Sequence, residues 1–136
     1  MQVEGNVAII TGGASGLGAG TARELAAAGG QIAIWDIQED KGLEVAKEVG
    51  GVFCHCDVTS EDSVIAAMER TKESIGAGRI LVNCAGTGVA IKTSSRGEAH
   101  PLEQFQRIIN INLIGTFNCI RLASTAMIDL EPMDHG

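Results

Sequence analysis

The residues most suited to chemistry are Thr11-Gly12-Gly13-Ala14-Ser15-Gly16-Leu17-Gly18, set between an apolar run at residues 7–10 and an alanine-rich, helix-favouring stretch at 21–28. Glycines between a strand and a helix permit a tight turn, let a pyrophosphate approach the backbone, and let the helix pack closely on the sheet. The helix N-terminus then offers free N–H groups and its positive dipole end to phosphate. No Gly-Lys-Ser/Thr follows, so the cluster is not a P-loop. Three residues separate Gly12 from Gly16, which is not the commonest dinucleotide spacing. Taken alone, the cluster also reads as a glycine-rich turn with no ligand. Asp36 adds a second group, 18 residues after Gly18. A carboxylate there can accept a hydrogen bond from an adenosine ribose hydroxyl. A 2′-phosphate would meet a like charge, and neither Ala14-Ser15 nor Ile37 supplies a cation, so the pair favours NAD over NADP. The alternative for Asp36 is a residue that merely leads into the next helix.

Alternating strands and helices must position these groups. Apolar runs at 7–10, 31–35, 52–56 and 80–82 read as four strands. They are continuous rather than alternating, as strands buried on both faces should be. Between them, residues 39–49 are charged and amphipathic. Thr59 with Asp62 resembles a capping box, opening a helix whose apolar face is Val64, Ala67, Met68, Thr71 and Ile75. Such alternation implies right-handed βαβ units in a parallel sheet. The expected fold is α/β, a Rossmann-like doubly wound parallel sheet with strand order 3-2-1-4. A polar loop at 92–100 follows, and Pro101 is expected to start a helix running to about Met127. Phe105, Ile108, Ile109, Thr116, Cys119 and Ala123 form one face of it. Ile111, Leu113, Ile114, Phe117 and Ile120 fill the others. A helix apolar nearly all round is normally buried on two sides, so one side is expected to need a partner.

The 136 residues amount to one domain, and a chain of this length buries roughly two-thirds of its unfolded surface. A net charge of −7 would repel phosphates, and 3% aromatic residues leave few stacking platforms, so nucleic acid is not an expected partner. No apolar run approaches the ~20 residues that span a bilayer, so no membrane partner is expected. Nothing at the N-terminus reads as a leader. Cys54-His55-Cys56 lies in an apolar run with no second Cys/His pair at ligand spacing, so no metal is expected and the cysteines read as reduced and buried. The expected setting is cytoplasmic.

Five motifs in order resemble the short-chain dehydrogenase/reductase family. They are Thr11 to Gly18, Asp36, Cys56-Asp57-Val58-Thr59, Val82-Asn83-Cys84-Ala85-Gly86, and Ile111-Asn112-Leu113-Ile114-Gly115-Thr116-Phe117. The resemblance runs from about Asn6 to Arg121. It implies that Gly12, Ser15, Gly16, Leu17 and Gly18 hold the pyrophosphate and Asp36 the adenosine ribose. Asp57 and Val58 would contact adenine, and Asn83, Cys84, Ala85 and Gly86 would shape the strand end beside the nicotinamide ribose. Cys84, where the family often has Asn, is read as packing. Asn112 interrupts an apolar helix face, where an amide is costly unless hydrogen-bonded. Its bland reading is a satisfied core amide. The resemblance makes it the catalytic Asn whose helix distortion holds a water in a proton relay.

Within the family, residues 92–100, Gln104 to Arg107 and the tail at 131–136 resemble the branch that oxidises the 3-hydroxyl of acyl-CoA thioesters with NAD and accepts some steroid alcohols. The 92–100 stretch also reads as an ordinary solvated loop. The resemblance implies a homotetramer built on the long helix. It also places a Ser and a catalytic Tyr-x-x-x-Lys beyond Gly136, and the chain contains no tyrosine. Residues 1–136 are therefore expected to be the NAD-binding domain of a dehydrogenase, cut before that segment. The alternatives are a non-catalytic dinucleotide-binding or interaction module, and a family member acting on a steroid or other small alcohol.

Overall fold

The computed structural model describes residues 2–133. Four parallel strands form the central sheet: β1 (Val7–Thr11), β2 (Gln31–Asp36), β3 (Val52–His55) and β4 (Gly78–Asn83), in the order β3-β2-β1-β4. The connecting helices are α1 (Gly16–Ala27), α2 (Glu39–Glu48) and α3 (Glu61–Ile75). The doubly wound α/β expectation and its 3-2-1-4 order hold.

Side chains alternate across the sheet, as strand geometry requires. Ala8, Ile10, Ile32 and Ile34 meet Ala19, Ala22, Val45 and Ala46 of α1 and α2 on one face. Ile9, Ala33, Trp35 and Cys54 meet Val64, Ala67 and Cys119 on the other. Every residue of β1 is buried, whereas most of β4 is only half-buried. The fourth strand, read as buried on both faces, is thus an edge strand among the described residues.

Three local expectations change. The α3 cap is Ser60, whose Oγ accepts from Ser63 N at 3.3 Å, not Thr59 with Asp62. Thr59 instead donates its N–H (2.9 Å) and hydroxyl (2.7 Å) to Asp57 Oδ1, which ties the β3–α3 loop back on itself. The α1 helix starts at Gly16 rather than near Thr21, and Gly18 is its closely packed glycine, since a Cβ there would meet the Gly12 carbonyl. The polar loop at 92–100 contains a hairpin, β5 (Ser94–Ser95) paired antiparallel with β6 (Glu98–Ala99). Its two turn residues, Arg96 and Gly97, both have positive φ, as a tight type I′ hairpin turn demands.

Pro101 precedes one continuous helical span. It consists of α4 (Leu102–Ile109), a π-helical segment (Asn110–Gly115) and α5 (Thr116–Ile128). Cys119 and Ala123 are buried against the sheet, but Phe105, assigned to the same face, is 55% exposed. Leu113, Ile114, Phe117 and Ile120 are exposed, and Ile111 packs on the core instead. The span of 27 residues is also long and apolar enough to cross a membrane by length and composition, contrary to the sequence expectation. Its α5 part packs on β4 and α3, and 22% of the apolar stretch is buried. Met1 and residues 134–136, the end of the tail used in the resemblance, lie outside the described residues.

Candidate active site: a dinucleotide cleft

The candidate residues converge at the carboxyl ends of β1, β2, β3 and β4, where ligands bind in open α/β sheets. Gly12 has φ +65, a left-handed conformation that favours glycine. A Cβ there would sit 2.6 Å from Ala85 N, so the turn after β1 presses against the turn after β4. A Cβ on Gly18 would collide with the Gly12 carbonyl, which brings the first turn of α1 onto the glycine turn. Ser15 occupies the N-cap position with its side chain not engaged in capping. The first turn of α1 contains no acidic residue, whereas α2 and α3 begin with Glu39-Asp40 and Glu61-Asp62. The positive end of the α1 dipole is therefore left uncompensated by its own side chains. Leu17, on that turn, is 86% exposed.

Asp36 closes β2 and is only 7% exposed. Its Oδ2 accepts from Ala14 N at 3.0 Å and its Oδ1 from Gln38 N at 2.9 Å. The carboxylate thus fixes the glycine turn from the side. Each carboxylate oxygen can accept more than one hydrogen bond, so capacity for a ribose hydroxyl remains. Asp57 N donates to Ser63 Oγ at 2.9 Å. Val58, one residue on, is buried.

On the other side of the cleft, Thr11 organises the turn after β4. Its buried hydroxyl accepts from Cys84 N at 3.2 Å and Ala85 N at 3.1 Å. From sequence, Thr11 reads only as the first residue of the glycine motif. The missed signal was a hydroxyl at the end of an otherwise apolar strand. Asn83 Oδ1 is buried and has no hydrogen-bond partner among the described residues. A buried acceptor without a donor is costly, so this position suits a ligand or chain segment that brings an N–H or O–H. Gly86 lies beside Asn112, whose Oδ1 would be 3.4 Å from a Cβ there.

Asn112 lies inside the π-helical segment, and its side chain is exposed rather than set in an apolar core. Contrary to the sequence expectation, the amide bears no cost of burial in an apolar face, while the expected helix distortion is present. Thr87 explains the amide: Thr87 N donates to Asn112 Oδ1 and Asn112 Nδ2 donates to Thr87 O, both at 2.9 Å. This reciprocal pair pins the segment after Gly86 to the helix. Thr116 Oγ1 donates to the Asn112 carbonyl at 2.8 Å.

The expectation of buried cysteines holds for three of the four, Cys84 being half-buried. All four are free thiols, and Cys54, Cys56 and Cys119 are buried. Burial pushes Cys56 up to about 12 and Cys119 up to about 11, so both stay protonated at neutral pH. Among the described residues no group of His, Cys, Asp and Glu could hold a metal ion. An apolar cavity of about 270 Å³ between α3 and α5, lined by Ile65, Met68, Leu122 and Met127, includes none of these cleft residues.

Glycine turn, terminal β2 carboxylate and open strand ends lie together on this α/β fold, and the residues present fit a dinucleotide. The sequence profile of the short chain dehydrogenase family matches residues 6–132, and the chain belongs to that family. It is 48% identical over 99% of its length to the 3-hydroxyacyl-CoA dehydrogenase type-2 of Drosophila melanogaster and to that of Rattus norvegicus. It superposes with a TM-score of 0.90, at 39% identity and over 99% of its length, on the crystal structure of 3-hydroxyacyl-CoA dehydrogenase type-2 from Mycobacterium avium. The chain spans about half of these proteins, 54%, 53% and 54% respectively.

Proposed function

We propose that these residues form the cofactor-binding part of an NAD-dependent oxidoreductase that moves a hydride between NAD and a secondary alcohol, a 3-hydroxyacyl-CoA. The observation that carries the reading is the buried Asp36 carboxylate, locked to the glycine turn by Ala14 N and to Gln38 N. It puts a fixed negative charge where an adenosine ribose would lie, which favours NAD over a 2′-phosphorylated cofactor. The assignments of Gly12, Ser15, Gly16, Leu17 and Gly18 to pyrophosphate, Asp57 and Val58 to adenine, and Asn83 to Gly86 to the nicotinamide ribose belong to the same proposal. Asn112 is proposed to act in proton relay, a role supported by its place in the π-helical segment beside Gly86 and Thr87. NAD, when bound, supplies the hydride acceptor. The acyl-CoA substrate is supported by the similarity to proteins bearing that name. A homotetramer is supported by the exposed Leu113, Ile114, Phe117 and Ile120. A cytoplasmic setting is supported by the free thiols, which suit a reducing compartment.

A second reading, a non-catalytic dinucleotide-binding module, has one observation in its favour: the 136 residues contain no tyrosine. By resemblance, the family's general acid–base group is a tyrosine hydroxyl, which residues 1–136 do not themselves contain. Turnover separates the two. Residues 1–136 alone should bind NAD and show no NAD-dependent oxidation of 3-hydroxybutyryl-CoA. A chain continuing through a Tyr-x-x-x-Lys segment should show it. An extended protein that binds NAD but is inactive would favour the module.

A further inference from the structure

A helix remote in sequence holds the loop that would meet adenine. Asn118, on α5 and 7% exposed, donates its Nδ2 to the Val58 carbonyl at 2.9 Å. Its Oδ1 accepts from Arg121 Nε at 3.1 Å and Nη2 at 2.8 Å. Arg121 Nη2 also lies 2.8 Å from Glu61 Oε2, in the first turn of α3. A guanidinium only donates and a backbone carbonyl only accepts. The oxygen end of the Asn118 amide must therefore face Arg121, and its NH2 end must face Val58. Three residues earlier, a Cβ on Gly115 would collide with the Val58 side chain, so the end of the π-helical segment rests directly on the same residue. Val58 is thus gripped through its carbonyl and its side chain by the helical span that carries Asn112.

We infer that Asn118, oriented by Arg121, is a positioning residue that sets the Asp57–Val58 wall against adenine and ties that wall to the helix bearing Asn112. The inference rests on the dinucleotide reading above. Nothing in the motifs of the glycine turn or of Asn112 requires an Asn-x-x-Arg pair on α5. The chemistry requires it because the Val58 carbonyl is buried and an unpaired buried carbonyl is costly.

The test uses AMP and nicotinamide mononucleotide as separate probes of the two halves of the cleft, titrated calorimetrically into the intact protein. Asn118→Asp has nearly the same size and still accepts from Arg121, but it turns an oxygen onto the Val58 carbonyl oxygen. AMP affinity is expected to fall about 10-fold, the factor for one lost contact of ~1.4 kcal/mol. Affinity for nicotinamide mononucleotide should stay within about 2-fold, a shift of less than ~0.5 kcal/mol. Arg121→Gln still donates to Asn118 Oδ1 and should keep AMP affinity close to that of the parent. Should Asn118→Asp fail to fold, Arg121→Met, at a half-exposed site, frees the amide to turn and should lower AMP affinity selectively. Equal losses for both nucleotides, or unchanged AMP affinity in a folded Asn118→Asp or Arg121→Met protein, overturn the inference while leaving the dinucleotide reading intact. A parent that binds neither nucleotide sinks that reading, and the inference falls with it.

Discussion

Replacing Asp36 by asparagine keeps the size of the side chain and removes its charge. In the native arrangement the two carboxylate oxygens accept separate backbone N–H groups, Ala14 at 3.0 Å and Gln38 at 2.9 Å, in a site only 7% exposed. An amide offers one oxygen, so its NH2 must oppose one of the two donors. Hydrogen bonds to charged groups contribute ~1.5–3 kcal/mol each. Losing one and weakening the other should cost about 2–3 kcal/mol. For a domain of this size that corresponds to a fall in Tm of roughly 6–12 °C. The same change acts on cofactor choice. The parent should bind NAD at least ~10-fold tighter than NADP, since one unfavourable contact of ~1.4 kcal/mol gives that factor. Asp36→Asn removes the like charge and should shrink the ratio below ~3-fold, and Asp36→Ala should narrow it as well. Thermal melts of the free proteins and calorimetric titrations with both cofactors read the two effects separately. Equal affinity of the parent for NAD and NADP would refute the cofactor assignment. An unchanged Tm in Asp36→Asn would refute the role of the carboxylate in holding the glycine turn.

Asn112→Ala removes both hydrogen bonds to Thr87. In the intact enzyme it should lower kcat ~100-fold or more while NAD affinity changes little, as steady-state rates beside NAD titrations would show. Phe117→Asp places a charge on the exposed apolar side of the long helix and should dissociate or insolubilise the assembly. A parent that sediments as a folded monomer at micromolar concentration would contradict this. The Cys56 and Cys119 thiols are held above the ordinary value of 9.0 mainly by burial, so the unfolded chain loses these protons first as pH rises. Their contribution to stability is full below about 9 and declines up to about 12, so denaturant midpoints should fall across that window and fall less in Cys56→Ala.

Much of the fold was legible because burial on both faces leaves a plain signature. The runs at 7–10 and 31–35 are continuous apolar segments, and β1 and β2 fall almost where those runs lie. The glycine turn and Asp36 were legible for a different reason: each does something only its residue type can do. The hydrogen bonds that bring the cleft together were not. Thr11 reaches Cys84 and Ala85, Thr87 reaches Asn112, and Asn118 reaches Val58, over sequence separations of 73, 74, 25 and 60 residues. Thr and Asn have too many ordinary uses for such pairings to be read from spacing. The hairpin at Ser94–Ala99 was hidden because its turn puts Arg96, not the usual Asn or Asp, at positive φ.

Phe105 is exposed on α4, which buries none of its residues and packs on the π-helical segment rather than on the sheet, and the winding of the span adds to the mismatch. Phe105 and Cys119 are 14 residues apart. At about 100° per residue, that spacing returns to within ~40° of the same direction on an uninterrupted α-helix. A π-helical segment closes its hydrogen bonds over five residues instead of four, and so inserts about one residue into the winding. The downstream face then turns by roughly 100° relative to the upstream one. Cys119 and Ala123 of α5 reach the sheet, whereas no residue of α4 is buried and Phe105 is 55% exposed. One continuous period could not describe both halves, which is why the helix read as apolar all round. The same insertion has a local consequence at Asn110–Gly115. It displaces the backbone around Asn112 from the ordinary i→i−4 ladder, where Thr116 Oγ1 reaches the Asn112 carbonyl and the amide side chain is free to hold Thr87. The irregularity that broke the sequence pattern is therefore the feature that presents Asn112 to the cleft.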